Sequence, residues 1–226
     1  MELYDFGLLD PAWHYDDEKN NDPAMGGITY PVMTTEEMAS IPLHKAFKKD
    51  SALGVWVTMP KLMDGTALTV INGWGFRPIT ALFVWVKLTK KGSIHPYGTI
   101  DFGMSTPHWE EDKNDANEYE HIKIAELYSG LGHHTNSNIE IMVLAKKGKG
   151  VPRLNKNVKQ LMFAPLRKHS EKPRVQYKRL TSLYGDDIRR VELFARKQNP
   201  PPEGWDVVGL DYGSDIREWI KQYENM

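Results

Sequence analysis

The chain has 226 residues, 40% of them hydrophobic, which is enough to bury one sizeable core in a single domain. Its 29 basic and 30 acidic residues give a net charge of -1, so a general attraction to polyanions is excluded and any nucleic-acid surface must be a local patch. The absence of cysteine excludes a disulfide framework and a cysteine nucleophile. No basic leader precedes an apolar stretch, and no window reaches the roughly 18 apolar residues of a membrane span, so we expect a cytoplasmic protein without membrane contact.

The first elements follow from one apolar run and one capping pattern. Residues 6–9 form an apolar run that ends abruptly at Asp10, which predicts a buried strand that delivers this carboxylate into a crevice. Further along, threonine followed by two glutamates predicts a capped helix over about residues 34–48. Pro42 is expected to break or kink this helix, because proline cannot donate the backbone hydrogen bond.

Strands and helices alternate along the rest of the chain. Continuous apolar runs predict strands at residues 53–57, 81–86, 139–145, 191–195 and 205–210. Helical spacing predicts helices at residues 61–74, 175–184 and 216–223. A polar excursion at 89–131, with a candidate short helix at 119–128, predicts an insertion. This alternation predicts an α/β fold with a mainly parallel sheet that helices cover on both faces.

Ligands of such sheets bind outside the carboxyl ends of the strands. Asp10, Thr58, Lys87 and Arg196 each follow an apolar run, so we expect them to share one crevice. The cationic stretch 146–159 fits either a solvated loop or a phosphate-contacting edge of that crevice. The insertion likewise fits either a surface excursion or a target-recognition or dimerisation element.

Two other patterns are interpreted as structural. Trp56, Trp74 and Trp85 lie within apolar strand or helix patterns, so we predict that they belong to the core. His133 and His134 precede Glu140, but no second histidine pair has the spacing of metal ligands, and we expect no metal site.

The tetrad Asp10-Pro11-Ala12-Trp13 carries the chemistry. It combines a carboxylate, a carbonyl held by proline geometry and a flat ring, which together suit an aromatic amine such as N6 of adenine. The hydrogens of that amine need acceptors while methyl transfer develops positive charge on the nitrogen, and the Asp10 side chain and the Pro11 carbonyl could supply them. Trp13 or Tyr15 would stack on the base. By itself the tetrad also fits an ordinary turn after a strand.

Further motifs follow the tetrad in a fixed order. They are Tyr30-Pro31-Val32-Met33-Thr34, Trp56-Val57-Thr58, Trp74-Gly75-Phe76, Phe83-Val84-Trp85-Val86-Lys87, Gly132-His133-His134-Thr135-Asn136 with Glu140, Phe163-Ala164-Pro165, His169-Ser170-Glu171-Lys172-Pro173, and Glu192-Leu193-Phe194-Ala195-Arg196 with Asn199. With these motifs the chain resembles, over most of residues 5–211, the N6-adenine methyltransferase family that includes the catalytic subunit of the eukaryotic messenger-RNA adenosine methyltransferase and its bacterial and phage relatives.

The resemblance implies a Rossmann-like fold that uses S-adenosylmethionine, in a permuted order with the tetrad before the cofactor-binding strand. It implies methyl transfer to N6 of adenine in DNA or RNA. The implied catalytic residues are Asp10, Pro11, Ala12 and Trp13. The implied cofactor ligands are Asp10, Lys172 on the methionine carboxylate, and Arg196, Gln198 and Asn199 on the ribose side. The implied target pocket contains Trp13, Tyr15, Tyr30, Asn136 and Glu140.

The chain departs from the family pattern at several places, one of which is Gln198, where the eukaryotic enzyme has histidine. Ala12 replaces a proline, which frees Pro11 from a steric restriction and makes a less rigid loop. Leu210 and Asp211 stand where an amide-bearing pair is common in the family.

Inactive partner subunits of this family typically lose the aspartate or the aromatic residue of the tetrad, and both are present here, which favours an active enzyme. Two alternatives remain: a non-catalytic nucleic-acid-binding partner subunit, and a methyltransferase for another amine such as cytosine N4. In each case nucleic acid is the expected partner, and a homo- or hetero-oligomer is compatible with the sequence.

Overall fold

The computed structural model describes residues 2–14, 33–89, 99–101, 124–128, 130, 134–167 and 171–224. The strands are β1 (Tyr4–Leu9), β2 (Phe47–Val57), β3 (Arg77–Leu88), β4 (Thr99–Asp101), β5 (Ile124–Glu126), β6 (Ile139–Lys147), β7 (Leu161–Pro165), β8 (Arg190–Leu193) and β9 (Trp205–Val208). The α-helices are α1 (Thr35–Ala39), α2 (Met59–Met63), α3 (Thr66–Gly73), α4 (Val175–Tyr184) and α5 (Ile216–Lys221), and Leu43–Ala46 and Leu210–Tyr212 form 3₁₀ turns. Seven strands form one sheet in the order β7-β3-β6-β2-β1-β8-β9, and β4 pairs with β5.

Strand β1 lies inside the main sheet with a parallel neighbour on each side. Its last residue, Leu9, pairs with Val55 of β2 and with Leu193 of β8. Strand β6 runs antiparallel to β2 and β3, and the other pairings of this sheet are parallel. The predicted α/β class with a mainly parallel sheet is confirmed. Strand β1, the first strand along the sequence, lies beside β8, which comes much later; the permuted order, with the tetrad before the cofactor-binding strand, stays a prediction.

Both faces of the sheet are covered, as the continuous apolar runs predict. On one face Trp56 and Trp85 pack edge to face, with ring centroids 6.3 Å apart, in a core that includes Leu180 of α4. On the other face Trp74 belongs to a second core that includes residues of α3 and α5. All three tryptophans are buried, which confirms them as core residues. Within the described part of the chain, no helix has the length and apolar character to cross a bilayer.

The predicted helix at 34–48 is wrong beyond Ala39. Its start is as expected: the Glu37 amide donates to Oγ1 of Thr34 at 3.1 Å and the Thr34 amide donates to the Glu37 carboxylate at 2.8 Å, which completes a capping box. Helix α1 then ends before Pro42, and Phe47 already pairs with Tyr4 in the sheet. Sheet pairing therefore overrides the helical spacing at the end of this segment.

Several other observed helices and strands differ from the predicted ones. The predicted helix at 61–74 is split into α2 and α3, because Gly65 adopts a φ of 82° between them. The candidate helix at 119–128 is wrong over its described part, where Ile124–Glu126 is a strand. Strand β7 was not predicted; it pairs parallel with β3 and forms one edge of the main sheet.

Candidate active site

Charged side chains gather at the carboxyl edge of the main sheet. Asp10 follows β1, Lys87 lies next to the last residue of β3, and Arg196 follows β8. Glu140 joins them because β6 is antiparallel, so its first residues lie where the neighbouring strands end. Lys172 comes from the segment just before α4. Residues that are far apart in the sequence thus meet at one end of the sheet. Of the four residues expected to share one crevice, Asp10 and Arg196 line the cavities described below, whereas Thr58 and Lys87 do not.

Four of these side chains form a chain of alternating charge, which we call the charge network: Asp10, Lys172, Glu140 and Lys87. Lys172 Nζ lies 3.0 Å from Asp10 Oδ1 and 3.2 Å from Glu140 Oε2. Lys87 Nζ lies 2.7 Å from Glu140 Oε1. The side chains of Lys172, Glu140 and Lys87 are 11%, 12% and 15% exposed, and that of Asp10 is 31% exposed. The network is therefore mostly desolvated, and Asp10 is its most accessible member.

Burial and neighbouring charges set the protonation of this network. Burial raises the pKa of Asp10 above its ordinary value, although Lys172 acts in the opposite direction. Burial acts to raise the pKa of Glu140 too, but Lys172 and Lys87 outweigh it and lower the pKa. Burial opposes the charge of Lys172, yet the two carboxylates hold its pKa above the usual range. At neutral pH the network thus contains a charged Lys172 and an ionised Glu140.

The tetrad is anchored to the sheet through its tryptophan. The indole N–H of Trp13 donates to the Trp56 carbonyl at 3.0 Å, and the indole N–H of Trp56 donates to Gln176 of α4 at 2.7 Å. The Trp13 amide donates to the Pro11 carbonyl at 2.9 Å. This bond fixes the orientation of the carbonyl despite Ala12, and a carbonyl oxygen keeps a second lone pair for another donor.

Trp13 itself is 5% exposed. In the described structure its ring packs in the core rather than forming an open surface, so stacking on a target base stays a prediction for this residue.

Two adjoining cavities open beside Asp10. The smaller one encloses about 340 Å³ and is lined by Leu8, Asp10, Trp56, Lys172, Gln176, Glu192, Phe194, Arg196, Gln198 and Asn199. The larger cleft encloses about 800 Å³ and is lined by Asp10, Ala12, Met33, Phe194, Ala195, Arg196, Gly209, Leu210, Asp211, Ser214, Asp215, Ile216 and Arg217. Asp10, Phe194 and Arg196 line both, so one ligand can extend across the two.

The boundary between the cavities has an unusual backbone. Phe194, directly after β8, has a φ of 61°, a left-handed conformation that bulky residues rarely adopt. The next amide, that of Ala195, donates to the Val208 carbonyl at 3.0 Å. A Cβ atom at Gly209 would collide with the Ala195 carbonyl oxygen, so glycine permits the ends of β8 and β9 to approach this closely. Strained backbone of this kind is typical of ligand sites.

Asp211 is a functional candidate that the sequence signals only as a departure from the family pattern. Its Oδ2 atom accepts from Arg196 Nε at 2.9 Å and from the Lys197 amide at 3.2 Å. Arg196 and the backbone amide lower the pKa of this carboxyl, which is therefore ionised at neutral pH. Arg196 is thus held at the cleft by a carboxylate that is itself a cleft-lining residue.

Asn199 and Gln198 lie in the smaller cavity beside Lys172. Asn199 Nδ2 donates to the Lys172 carbonyl at 3.3 Å, and among the described residues no donor meets its buried Oδ1 atom. A buried acceptor without a donor fits a ligand that supplies one. The three residues expected on the ribose side are therefore divided, since Arg196 also reaches the larger cleft.

Glu192 is a second residue that sequence reasoning missed as a site residue. It is 8% exposed, lines the smaller cavity and accepts a hydrogen bond from the Tyr177 hydroxyl at 2.8 Å. Burial raises the pKa of Glu192 to about 8, so this carboxyl is largely protonated at neutral pH. A glutamate inside the apolar run of β8 is the signal that could have found it, because carboxyl groups are rarely buried without a partner.

The remaining predicted target residues are not part of these contacts as described. Asn136 is exposed, three residues before β6 begins, and its role stays a prediction. Tyr15 and Tyr30 lie outside the described residues.

The cationic stretch 146–159 begins at the wrong end of the sheet for the active site. Lys147 pairs with Ser51 near the start of β2, whereas Asp10 lies beyond the end of β1. Its Nζ atom donates to the carbonyls of His44 and Phe47 at 2.6 and 2.8 Å. The alternative in which this stretch forms an edge of the crevice is therefore wrong for residues 146–149.

Two comparisons with known proteins bear on this site. The family model described as MT-A70 matches residues 4–112, which include the tetrad, β2 and β3. The Type II methyltransferase M.MunI of Mycoplasma sp is 26% identical over 183 residues, which are 80% of this chain. The chain covers 59% of that relative's length.

Proposed function

The chain is an MT-A70-like protein, and on that premise we propose that it transfers the methyl group of S-adenosylmethionine to the exocyclic N6 amine of adenine in a nucleic acid. The observation that carries the proposal is the placement of Asp10: it ends a buried strand, lines both cavities and contacts Lys172 at 3.0 Å. A carboxylate so placed can meet a ligand in either cavity.

S-adenosylmethionine supplies an electrophilic methyl group on a sulfonium. Transfer of that methyl group to N6 would leave a proton on the nitrogen, which the Asp10 carboxylate would be placed to accept. In the proposed reaction the Asp10 carboxylate and the Pro11 carbonyl accept hydrogen bonds from the amine, which offsets the positive charge that develops on nitrogen. The raised pKa of Asp10 makes its carboxylate a better proton acceptor than an exposed aspartate.

The residues present fit the cofactor in both cavities. Lysine has three N–H donors. Lys172 directs two of them to Asp10 and Glu140, so a third can reach a carboxylate such as that of the methionine part. The buried Oδ1 atom of Asn199 suits the ammonium of the same part. Because Asn199 lies beside Lys172, we assign it to the methionine end rather than to the ribose.

The adenosine part would occupy the larger cleft. Met33, Leu210 and Ile216 offer apolar surface there, and the Arg196–Asp211 pair offers both a donor and an acceptor for ribose hydroxyls. Leu210 is 56% exposed, which is unusual for a large apolar side chain and is consistent with a surface that a ligand covers.

Nucleic acid is the proposed substrate because the tetrad suits an adenine amine and because the relative is named as a Type II methyltransferase. In a duplex, the target base would have to leave its stack to reach Asp10, at a cost of about a few kcal/mol. A single strand avoids that cost.

The proposal is tested with labelled S-adenosylmethionine and adenine-containing DNA and RNA, each in single- and double-stranded form. Product nucleosides are separated by mass spectrometry. We expect N6-methyladenine, and we expect Asp10→Asn to reduce transfer about 100-fold or more. The matched control is Asp5→Asn, which changes the opposite end of the same strand and should retain wild-type activity.

Three other outcomes would contradict the proposal in different ways. N4-methylcytosine as the product would establish the other-amine alternative. Cofactor binding by calorimetry without transfer to any nucleic acid would favour the non-catalytic partner subunit. Full activity in Asp10→Asn would refute the role given to Asp10.

A further inference from the structure

Lys87 is the outermost member of the charge network and does not line either cavity. It lies two residues after Trp85, whose partner across the β3–β6 ladder is Glu140. Its Nζ atom sits 2.7 Å from Glu140 Oε1 and 5.3 Å from the centre of the Trp85 ring. The lysine is thus held between a carboxylate and an aromatic face, and within the described part of the chain it is linked to Asp10 and Lys172 through Glu140.

Glu140 divides its two oxygens between two lysines. Oε1 faces Lys87 and Oε2 faces Lys172, while Lys172 is shared in turn with Asp10. The four charges sum to zero and alternate in sign along the chain of contacts. Without Lys87, Lys172 would be the nearest cation of both carboxylates and would be drawn towards Glu140.

We propose that Lys87 is a positioning residue for methyl transfer: by binding Glu140 Oε1 it keeps Lys172 shared with Asp10, and so holds the Asp10 carboxylate ionised and oriented towards the target amine. The inference rests on the proposed function for its catalytic consequence. The electrostatic coupling from Lys87 to Asp10 does not depend on it.

The charged groups around Asp10 decide the direction of the effect. Asp10 faces Lys172, Glu140 and Arg196, and it also interacts with Glu192 and Tyr177. Glu140 faces Lys172 and Lys87. Loss of Lys87 leaves the negative charge of Glu140 less compensated, so the pKa of Asp10 should rise. The opposite change, Glu140→Gln, removes that negative charge and should lower it.

The test uses the variants Lys87→Met, Lys87→Arg and Glu140→Gln, with Lys149→Met as a matched control at the exposed far end of the sheet. Thermal unfolding first establishes that each variant folds. We expect Lys87→Met to lower kcat about 10- to 100-fold, the range found when residues that support a reactive group are lost. The Kd for S-adenosylmethionine should stay within about threefold, since Lys87 does not line the cofactor cavities, and Lys87→Arg should recover most of the activity.

The pH profile separates positioning from a purely structural role. The acid limb of kcat in Lys87→Met should move to higher pH, because Asp10 would be protonated over a wider range. In the Glu140→Gln background, Lys87→Met should change kcat less than twofold, because the route of coupling is already broken. Unchanged kcat in Lys87→Met, or a full second loss in the double variant, would overturn the proposal.

A turnover-independent measurement keeps the two proposals distinguishable. The pKa of the Asp10 carboxyl is followed by carbon NMR titration in wild type, Lys87→Met and Glu140→Gln without substrate. A raised Asp10 pKa in Lys87→Met and a lowered one in Glu140→Gln would support the coupling, whether or not the wild type transfers a methyl group. The absence of methyl transfer by the wild type would contradict only the proposed function. An unchanged Asp10 pKa in Lys87→Met would refute the coupling whatever the activity. Should Lys87→Met fail to fold, Lys87→Gln and the Glu140→Gln titration decide the same question.

Discussion

The two ends of the main sheet carry ion pairs of similar length that differ in the burial of the lysine. At the amino end of β1, Asp5 lies 2.8 Å from Lys48, with side chains that are 18% and 50% exposed. At the carboxyl end, Asp10, which is 31% exposed, lies 3.0 Å from Lys172, which is 11% exposed and shared with Glu140. The distances hardly differ. Burial of the lysine, sharing of that lysine between two carboxylates, and adjacency to a cavity distinguish the two pairs.

This difference shows why contact geometry alone does not reveal a functional site. An exposed pair gains little, because water and salt screen it and two flexible side chains lose freedom. A desolvated pair costs several kcal/mol to bury, and its attraction only offsets that cost when the geometry is good. The carboxyl-end network is therefore expected to contribute little net stability. Its position beside two cavities is consistent with a chemical role.

The largest change in the free energy of unfolding is expected from removing Lys172, the cation that Asp10 and Glu140 share. Lys172→Met removes the nearest cation from Asp10 and leaves Glu140 with Lys87 alone, so we expect the free energy of unfolding to fall by about 3–5 kcal/mol at pH 8. In this variant both folded-state pKa values should lie above the unfolded values, so protonation stabilises the fold at low pH and that stability is lost as pH rises through the folded values. Denaturant unfolding at pH 5 and pH 8 measures the difference. A deficit that is equal at both pH values would contradict the assignment of Lys172 as the counter-ion.

The next effect concerns the buried carboxyl of the smaller cavity. Because burial raises the pKa of Glu192 to about 8, the folded state binds more protons than the unfolded state between about pH 5 and pH 8, and wild-type stability should decrease over that window. Glu192→Gln keeps the shape and cannot ionise. We expect it to remove this dependence, on the order of a few kcal/mol by pH 9. A variant whose unfolding retains the wild-type slope would show that another group titrates there.

The sequence could predict the residues of the site better than their connections. Asp10 follows from an apolar run that ends in a carboxylate, and Lys172 and Glu140 follow from the family motifs. The pairing of Lys87 with Glu140 could not be predicted, because it depends on β6 being antiparallel, and a continuous apolar run has no direction.

The predictions of helices and strands were wrong where nonlocal strand pairing or a single backbone angle determined the structure. Residues 47–57 are drawn into the sheet by their neighbours on both sides, which overrides the helical pattern that runs into them. Gly65 divides one helical pattern into two helices through its positive φ, and glycine inside a periodic segment signals this only weakly. Glu192 was missed as a site residue because the apolar run around it predicts a strand but gives no sign of the cavity beside that strand.

A smaller loss is expected at the boundary between the cavities. Gly209→Ala would place a methyl group against the Ala195 carbonyl and force the ends of β8 and β9 apart. We expect a destabilisation of about 1–3 kcal/mol together with weaker binding of S-adenosylmethionine. Gly204→Ala is the matched control, because Gly204 directly precedes β9 as Gly209 directly follows it, and a Cβ atom at Gly204 would meet open space. The φ of 85° at Gly204 adds a backbone strain to the control variant, but the change does not reach the cleft. Calorimetry should therefore show a change in cofactor Kd for Gly209→Ala alone.

The smallest effect is expected at the amino end of the sheet. Lys48→Met breaks the exposed pair with Asp5, whose carboxylate keeps the Arg189 amide as a donor at 2.9 Å. We expect the free energy of unfolding to change by less than about 1 kcal/mol and by still less in high salt, because screening already weakens the pair. Methyl transfer should be unaffected, since Lys48 lies at the opposite end of the sheet from Asp10. Denaturant unfolding at low and high salt, with activity measured in parallel, tests this. A loss as large as that of Lys172→Met would break the contrast between the two ends, because it would show that exposed and buried pairs contribute alike in this sheet.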